Sequence, residues 1–134
     1  MTASITYAEV QNFIFKHYNI RPELSMADDR AICVAYSPGS LFPTIKVDVR
    51  VESIQGNTIL LTYSCAPALA LMVQGALALM GDKIPVRILR IDTQTRTIHL
   101  FIDKIDQLKT VLEYISLQDV SFDAERVNVE LAMR

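Results

Sequence analysis

The chain has 134 residues, of which 51% are hydrophobic and 21% charged, and its formal net charge is −2. This length and composition fit one folded domain without a disordered tail, so we expect a single domain over 1–134. The chain has no excess of basic residues and no run of like charges. It therefore lacks the basic face that duplex binding requires, and no nucleic-acid partner is expected.

The amino-terminal residues predict a helix that begins after Thr6. The Thr6 hydroxyl can accept the amide of Glu9, and the Glu9 carboxylate can reach back to the amide of Thr6, which is a capping box. Residues 1–7 carry neither a basic stretch nor an apolar run, so no signal peptide is predicted and the cytoplasm is the expected location. Residues 19–29 are predicted to be a connector.

Alternating apolar and charged residues predict a β-hairpin after this connector. Ala31–Ser37 is predicted to be a strand and Ser37–Pro43 a loop. From residue 45 to 52, apolar and charged residues alternate, as is typical of an antiparallel strand with one buried and one solvated face. Gly56–Asn57 predicts a two-residue turn, and Thr58–Ser64 is the return strand.

The next segment is the longest in the chain without charge. Residues 53–81 contain no charged side chain, and residues 66–81 predict a helix whose only strongly polar side chain is Gln74. A bilayer crossing takes about twenty apolar residues. The helical part is shorter and contains Pro67, so we expect a core helix and no transmembrane segment.

Two faces of this helix can be told apart by helical spacing. One is an apolar stripe directed inward; the other is small or apolar as well and consists of Ala70, Leu71, Gln74, Gly75 and Ala78. A helix that is apolar all round must be covered on most sides. We therefore expect this second face to lie against the amino-terminal helix or against the same helix of a second subunit.

The carboxy-terminal half predicts a second hairpin, a helix and a final strand. The hairpin strands are Pro85–Asp92 and Thr97–Asp103, and Asp103 or Asp106 is expected to cap a helix that runs to Tyr114. The last strand is Arg126–Met133, preceded by a short strand around Val120 and Phe122 and by a bulge or turn near 123–125.

The segments 45–81 and 84–116 resemble each other. A shift of 39 residues aligns Ile59 with Ile98 and Leu61 with Leu100, so each segment is two strands followed by a helix. A duplicated ββα unit and convergence of hydrophobic patterns both explain this similarity. The predicted fold class is α+β, with an antiparallel-rich sheet of about six strands and helices mainly on one face. The element order over 58–133 matches a ferredoxin-like core, which implies no particular activity.

Motifs of catalysis and metal binding are absent from this sequence. His17 and His99 are the only histidines, and no His or Cys spacing suits a metal, so neither metal nor cofactor is expected. The sequence has no glycine-rich phosphate loop and no GxSxG motif. Cys33 with His17, or Cys65 with His99, would form a nucleophile and base only if the fold brought them together. The sequence thus favours a non-enzymatic protein.

Two functional hypotheses follow. The first is a cytoplasmic module that self-associates as a homodimer through the outer face of the apolar helix or through an apolar outer face of the sheet. The second is a binder of a small hydrophobic ligand or lipid held between sheet and helices, where methionine would give an adaptable pocket. The pocket residues predicted for the second hypothesis are Tyr63, Met72, Met80, His99 and Phe101.

Overall fold

The computed structural model describes residues 1–37 and 44–134, without the side chains of Ala76, Leu79, Met80 and Gly81. Within these residues the chain forms nine strands and three α-helices, so the predicted α+β class is confirmed. The strands are β1 (Thr2–Thr6), β2 (Glu23–Asp28), β3 (Ala31–Tyr36), β4 (Ile45–Gln55), β5 (Thr58–Ser64), β6 (Leu89–Asp92), β7 (Thr97–Phe101), β8 (Ile115–Phe122) and β9 (Arg126–Met133). The helices are α1 (Tyr7–Tyr18), α2 (Ala70–Lys83) and α3 (Lys109–Tyr114).

The strands form two antiparallel sheets. The large sheet has six strands in the order β2-β3-β4-β5-β7-β6, and the small sheet has three in the order β1-β9-β8. The large sheet agrees with the predicted size, whereas the sequence pattern does not predict the small one. Strand alternation indicates that one face is buried, but it does not indicate which sheet a strand joins.

Strand β5, helix α2 and strands β6 and β7 form a split βαβ unit. Strand β7 pairs antiparallel with both β5 and β6, so β5 and β6 run parallel with β7 between them. This arrangement is the first half of a ferredoxin-like order. The second half of that prediction is wrong, because β9 pairs with β1 and β8, and β4 takes the place beside β5. The two-residue turn at Gly56–Asn57 makes β4 the local partner of β5. The internal repeat stays a prediction.

The amino-terminal segments differ most from the prediction. Helix α1 has the predicted capping box, with Thr6 as its N-cap residue and Glu9 as the reciprocal partner. The connector predicted for residues 19–29 is wrong over Glu23–Asp28, which pairs with β3 as the edge strand β2. Residues 2–6, for which no strand is predicted, pair with β9 as β1. Both are short, polar edge strands whose pairing comes from a neighbouring strand rather than from their own pattern. The predicted loop Ser37–Pro43 lies outside the described residues after Ser37.

The carboxy-terminal helix is shorter than predicted. Two 3-10 turns, Ile102–Lys104 and Asp106–Leu108, precede α3, and its N-cap residue makes no side-chain cap. The expected cap by Asp103 or Asp106 is therefore wrong, because the chain turns twice to bury Ile102 before the helix starts. The predicted turn near 123–125 is present, and Asp123 accepts the amides of Glu125 and Arg126 at 2.9 and 2.8 Å.

The core lies on one face of the large sheet, which we call the inner face. Helix α2 covers one half of it, where Val73 packs against Ile45, Tyr63 and Ile98. The small sheet and α3 cover the other half through a second cluster. Members of that cluster include Tyr7, Ile32, Val51, Ile59, Leu112, Leu117, Val120 and Phe122. Among the described residues, no helix has the length and apolar character that crossing a membrane requires.

Candidate interaction surface and apolar cavity

The outer face of α2 is open to solvent. Leu71 is 83% exposed, Gln74, Gly75 and Ala78 are also exposed, and Ala70 is half-buried. The opposite side of the helix carries Val73, which is 1% exposed. Helix α1 packs beside β1 and β2, on another part of the molecule. Of the two predicted covers for this face, the amino-terminal helix is therefore ruled out.

The composition of α2 makes this exposure unusual. Its only charged residues are Asp82 and Lys83 at the carboxy-terminal end. By contrast α1, which also lies at the surface, carries Glu9 and Lys16. Surface helices normally present charged or polar residues to water opposite their apolar stripe. The outer face of α2 is thus more apolar than solvent exposure alone would favour.

A groove continues from this face to the edge of the large sheet. Gln74 and Ala78 line one wall of it, and Val86, which is 69% exposed, lies in the segment that leads into β6. The groove has a volume of about 250 Å³ and its floor is β6 itself. We call α2's outer face, Val86 and the outer edge of β6 the α2–β6 surface. The sequence did not predict that Val86 is exposed, because Val86 stands among the apolar residues Ile84, Pro85 and Ile88 and falls within the predicted strand Pro85–Asp92.

Beneath α2 lies an apolar cavity of about 110 Å³. Its walls are the inner face of the large sheet and the buried side of α2. Burial is the main reason that the pKa of the Tyr63 hydroxyl is raised above its ordinary value of 10.0. The residues that line the cavity are Val34, Tyr36, Ile45, Val47, Val49, Tyr63, Val73, Leu77, Leu89, Ile91 and Ile98.

The structure does not bring the five predicted pocket residues together. Tyr63 lines the cavity, and Met72 packs against the same cluster without lining it. His99 and Phe101 alternate with Ile98 and Leu100 along β7, which places them on the opposite face of the sheet. The side chain of Met80 lies outside the described part of the chain.

His99 takes part in a small aromatic and cationic group on that outer sheet face. Its ring stacks on Phe101 with a centroid distance of 6.3 Å, and the Arg90 guanidinium lies 5.7 Å from the Phe101 ring centre. The Nδ1 atom of His99 is buried without a hydrogen-bond partner among the described residues. This single atom, in a residue that is itself only half-buried, does not constitute a binding site.

Neither cysteine–histidine pair is assembled for catalysis. Cys65 packs against the cluster under α2, whereas His99 is on the other face of the sheet. Cys33 is on β3, opposite Asp48 of β4, whereas the His17 ring packs at a tilt against Phe13 within α1, with 4.4 Å between the ring centroids. In the described part of the chain, no three His, Cys, Asp or Glu side chains group as a metal site would require.

Comparisons with known proteins give no indication of function for this chain. No protein family, curated protein or solved structure matches this chain. The functional argument therefore depends on the α2–β6 surface and the cavity beneath α2.

Proposed function

We propose that the protein is a non-enzymatic cytoplasmic module that self-associates through the α2–β6 surface. The observation that carries this proposal is the uncharged, exposed outer face of α2, where Leu71 is 83% exposed. Apolar area transferred from water stabilises a complex by about 25 cal/mol per Å². Both cysteines are free thiols, as is usual for proteins in a reducing compartment.

The small residues of this face favour a helix as the contacting element. Gly75 and Ala78 leave little side chain above the helix backbone, so a second backbone can approach closely. A two-fold axis would bring the same face of a second copy against it, which is the commonest arrangement of homodimers. The helix face alone is smaller than the roughly 800 Å² per partner of a standard interface, so the groove beside β6 belongs to the same contact.

Self-association is tested by sedimentation velocity over a range of protein concentrations. We expect Leu71→Lys and Ala78→Glu each to weaken the dimer at least about tenfold, because each places an unpaired charge in an apolar contact. Both positions are exposed, so circular dichroism and the melting temperature should stay close to those of the wild type. Val111→Lys, at a 47%-exposed position on α3, is the matched control and should leave the dimer unchanged.

Two outcomes would contradict this proposal. One is a wild-type protein that stays monomeric at concentrations of hundreds of micromolar. The other is a dimer that persists unchanged in both α2 variants. Unfolding of the two variants would assign this face to the core of the subunit, against its observed exposure.

The cavity beneath α2 supports a second candidate function, the binding of a small apolar molecule. Its lining is almost entirely aliphatic and aromatic, and apolar cavities of about 150 Å³ stay dry and take up benzene or xenon. At about 110 Å³ the cavity suits xenon or the end of an alkyl chain better than a whole lipid. Polar ligands are disfavoured because few groups here could replace their hydrogen bonds to water.

Xenon is the probe that tests this second function. We expect saturable binding by ¹²⁹Xe NMR in the wild type and loss of binding in Val47→Phe, whose larger ring fills the space that Val47 lines. Val111→Phe, on the exposed side of α3, is the control for the added ring and should bind xenon as the wild type does. Equal binding by the wild type and by Val47→Phe would contradict a site in this cavity.

A further inference from the structure

We propose that two copies join at the outer edge of β6, where each β6 pairs antiparallel with β6 of the second copy about a two-fold axis through Ile91. This inference rests on the proposed self-association and specifies how the two copies meet. Pairing of the two β6 strands joins the two six-stranded sheets into one continuous sheet.

The outer edge of β6 carries unpaired backbone groups. Strand β6 is the last strand of the large sheet, and no described strand pairs with its far side. On its near side, the Phe101 amide donates to the carbonyl of Ile88 at 2.8 Å. Hydrogen-bonded and non-hydrogen-bonded pairs alternate along an antiparallel ladder. Arg90 and Asp92 therefore direct their backbone groups towards β7, and Ile91 directs its N–H and C=O outwards.

These outward groups determine which registers a second β6 can adopt. Only registers that place outward-directed residues opposite one another allow both backbones to exchange hydrogen bonds. Two-fold arrangements centred on Arg90, on Ile91 or on Asp92 all meet this condition. The one centred on Arg90, for example, places Leu89 opposite Ile91 of the second copy. The arrangement centred on Ile91 pairs Ile91 with itself and makes two N–H to C=O hydrogen bonds.

Among these three registers, charge favours the one centred on Ile91. Arg90 and Asp92 are both exposed and lie on the outer face of the sheet. Centring on Ile91 places Arg90 opposite Asp92 of the second copy, twice. Centring on Arg90 places two arginines opposite each other, and centring on Asp92 places two aspartates opposite each other. Opposite charges stabilise a cross-strand pair and like charges destabilise it, so only the register centred on Ile91 is complementary.

Both charged groups are available for this contact. Within the described residues no carboxylate forms a salt bridge with Arg90, whose guanidinium lies over Phe101. Asp92 uses one carboxylate oxygen, Oδ1, to accept the amides of Gln94 and Thr95 at 2.9 and 3.3 Å. These bonds keep the pKa of Asp92 below its ordinary value, so the carboxylate is charged at neutral pH. Its second oxygen remains for an arginine.

The paired edges also bring the two α2 helices to the same side. A two-fold axis perpendicular to the sheet keeps both inner faces on one side, so the two copies of α2 flank the junction. Gln74 and Ala78, which line the groove beside β6, then face the junction together with Val86. Edge strands usually carry charges that prevent pairing. Here the order Arg90, Ile91, Asp92 makes the edge complementary to itself.

A charge-reversal experiment with two separate variants tests this arrangement between molecules. In Arg90→Glu homodimers, the new carboxylate would oppose Asp92 twice. In Asp92→Lys homodimers, the new ammonium would oppose Arg90 twice. We expect each variant alone to dimerise at least about tenfold more weakly than the wild type, because two attractive pairs become repulsive. An equimolar mixture should form a heterodimer within about threefold of the wild-type affinity, since both cross-strand pairs are then of opposite charge.

Native mass spectrometry distinguishes the heterodimer from either homodimer by mass, and sedimentation velocity gives the affinities. Lys16→Glu is the control, because exposed Lys16 lies on α1, which packs beside β2 at the opposite edge of the large sheet from β6, and the variant should dimerise as the wild type does. If each variant alone dimerises like the wild type, or if mixing restores nothing, edge pairing in this register is overturned. The self-association proposed above survives that result as long as Leu71→Lys still separates the subunits. A monomeric wild type would overturn both.

Discussion

Tyr7 connects the amino-terminal helix to the turn between β8 and β9, near the carboxy-terminal end of the sequence. It is 6% exposed, its hydroxyl donates to the main-chain carbonyl of Asp123, and its amide donates to the carbonyl of Glu125 at 3.0 Å. Tyr7 therefore links the start of α1 to the turn between β8 and β9 through both its side chain and its main chain. The capping box of Thr6 and Glu9 is predictable from the sequence because its two residues are only three positions apart. The partner of Tyr7 is 116 residues away, and no local pattern indicates it.

The contribution of this link can be measured with Tyr7→Phe. The variant keeps the buried ring and loses one hydrogen bond to a carbonyl, so we expect the free energy of unfolding to fall by about 1 kcal/mol. Urea denaturation measures the change. Tyr114→Phe, at a 63%-exposed position, is the control and should leave stability unchanged. Equal free energies of unfolding for Tyr7→Phe and the wild type would show that the hydrogen bond of the Tyr7 hydroxyl does not stabilise the fold.

At the scale of elements, Gly75 in α2 is a position where adding a side chain should stabilise the helix. A Cβ atom added to Gly75 meets nothing within 4 Å, and Gly75 is helical, whereas Gly56 in the β4–β5 turn has a φ of +60°. In the Leu71→Lys background, Gly75→Ala should raise the free energy of unfolding by about 1 kcal/mol, since alanine favours the helix. Gly56→Ala should lower it by a similar amount because its backbone is left-handed. Thermal and urea unfolding decide between these signs. Destabilisation by Gly75→Ala would mean that the helix backbone is closely packed after all.

Some elements were predictable and others were not, for a physical reason. The strands β4, β5 and β9 follow a period-two pattern that is complete within each segment, so their positions agree with the prediction. Strands β1 and β2 lie at sheet edges with mostly exposed residues, so burial leaves no pattern in their sequence. Alternation along β7 likewise assigns His99 and Phe101 to one face, but assigning that face to the outside requires the position of α2.

The whole molecule should lose stability at both ends of the pH scale. The pKa values of the Glu9, Asp28, Asp92, Asp106, Asp119 and Asp123 carboxyls are all lowered, mainly by hydrogen bonds in the fold. Burial raises the pKa values of Tyr7 and Tyr63 above 10.0. The stability from a lowered carboxyl is present above its ordinary pKa and is lost as the pH falls through the folded value. The stability from a raised tyrosine is present below pH 10 and is lost above it.

We therefore expect a plateau of the melting temperature between about pH 5 and 9, with losses on either side. Asp119 is the carboxyl to remove first, because Arg30 donates to it at 2.6 Å and so joins the β2–β3 turn to β8. Asp119→Asn should flatten the acid limb below its ordinary pKa of 3.8. Tyr7→Phe should flatten the alkaline limb instead. A melting temperature that rises below pH 4 would contradict the direction of these shifts.

The pairing of β1 with β9 has a consequence for the order in which the chain folds. Residues 2–6 meet residues 126–130, and the Leu131 amide donates to the carbonyl of Met1 at 2.7 Å. The β4–β5 hairpin is closed by a two-residue turn. The pairing of β1 with β9, by contrast, closes a loop that contains nearly all the other described residues. Because the entropy lost in closing a loop grows with its length, we expect β1 to add to β9 after the intervening strands have formed. We therefore expect the small sheet to be completed late, when β1 brings Tyr7 onto its buried cluster.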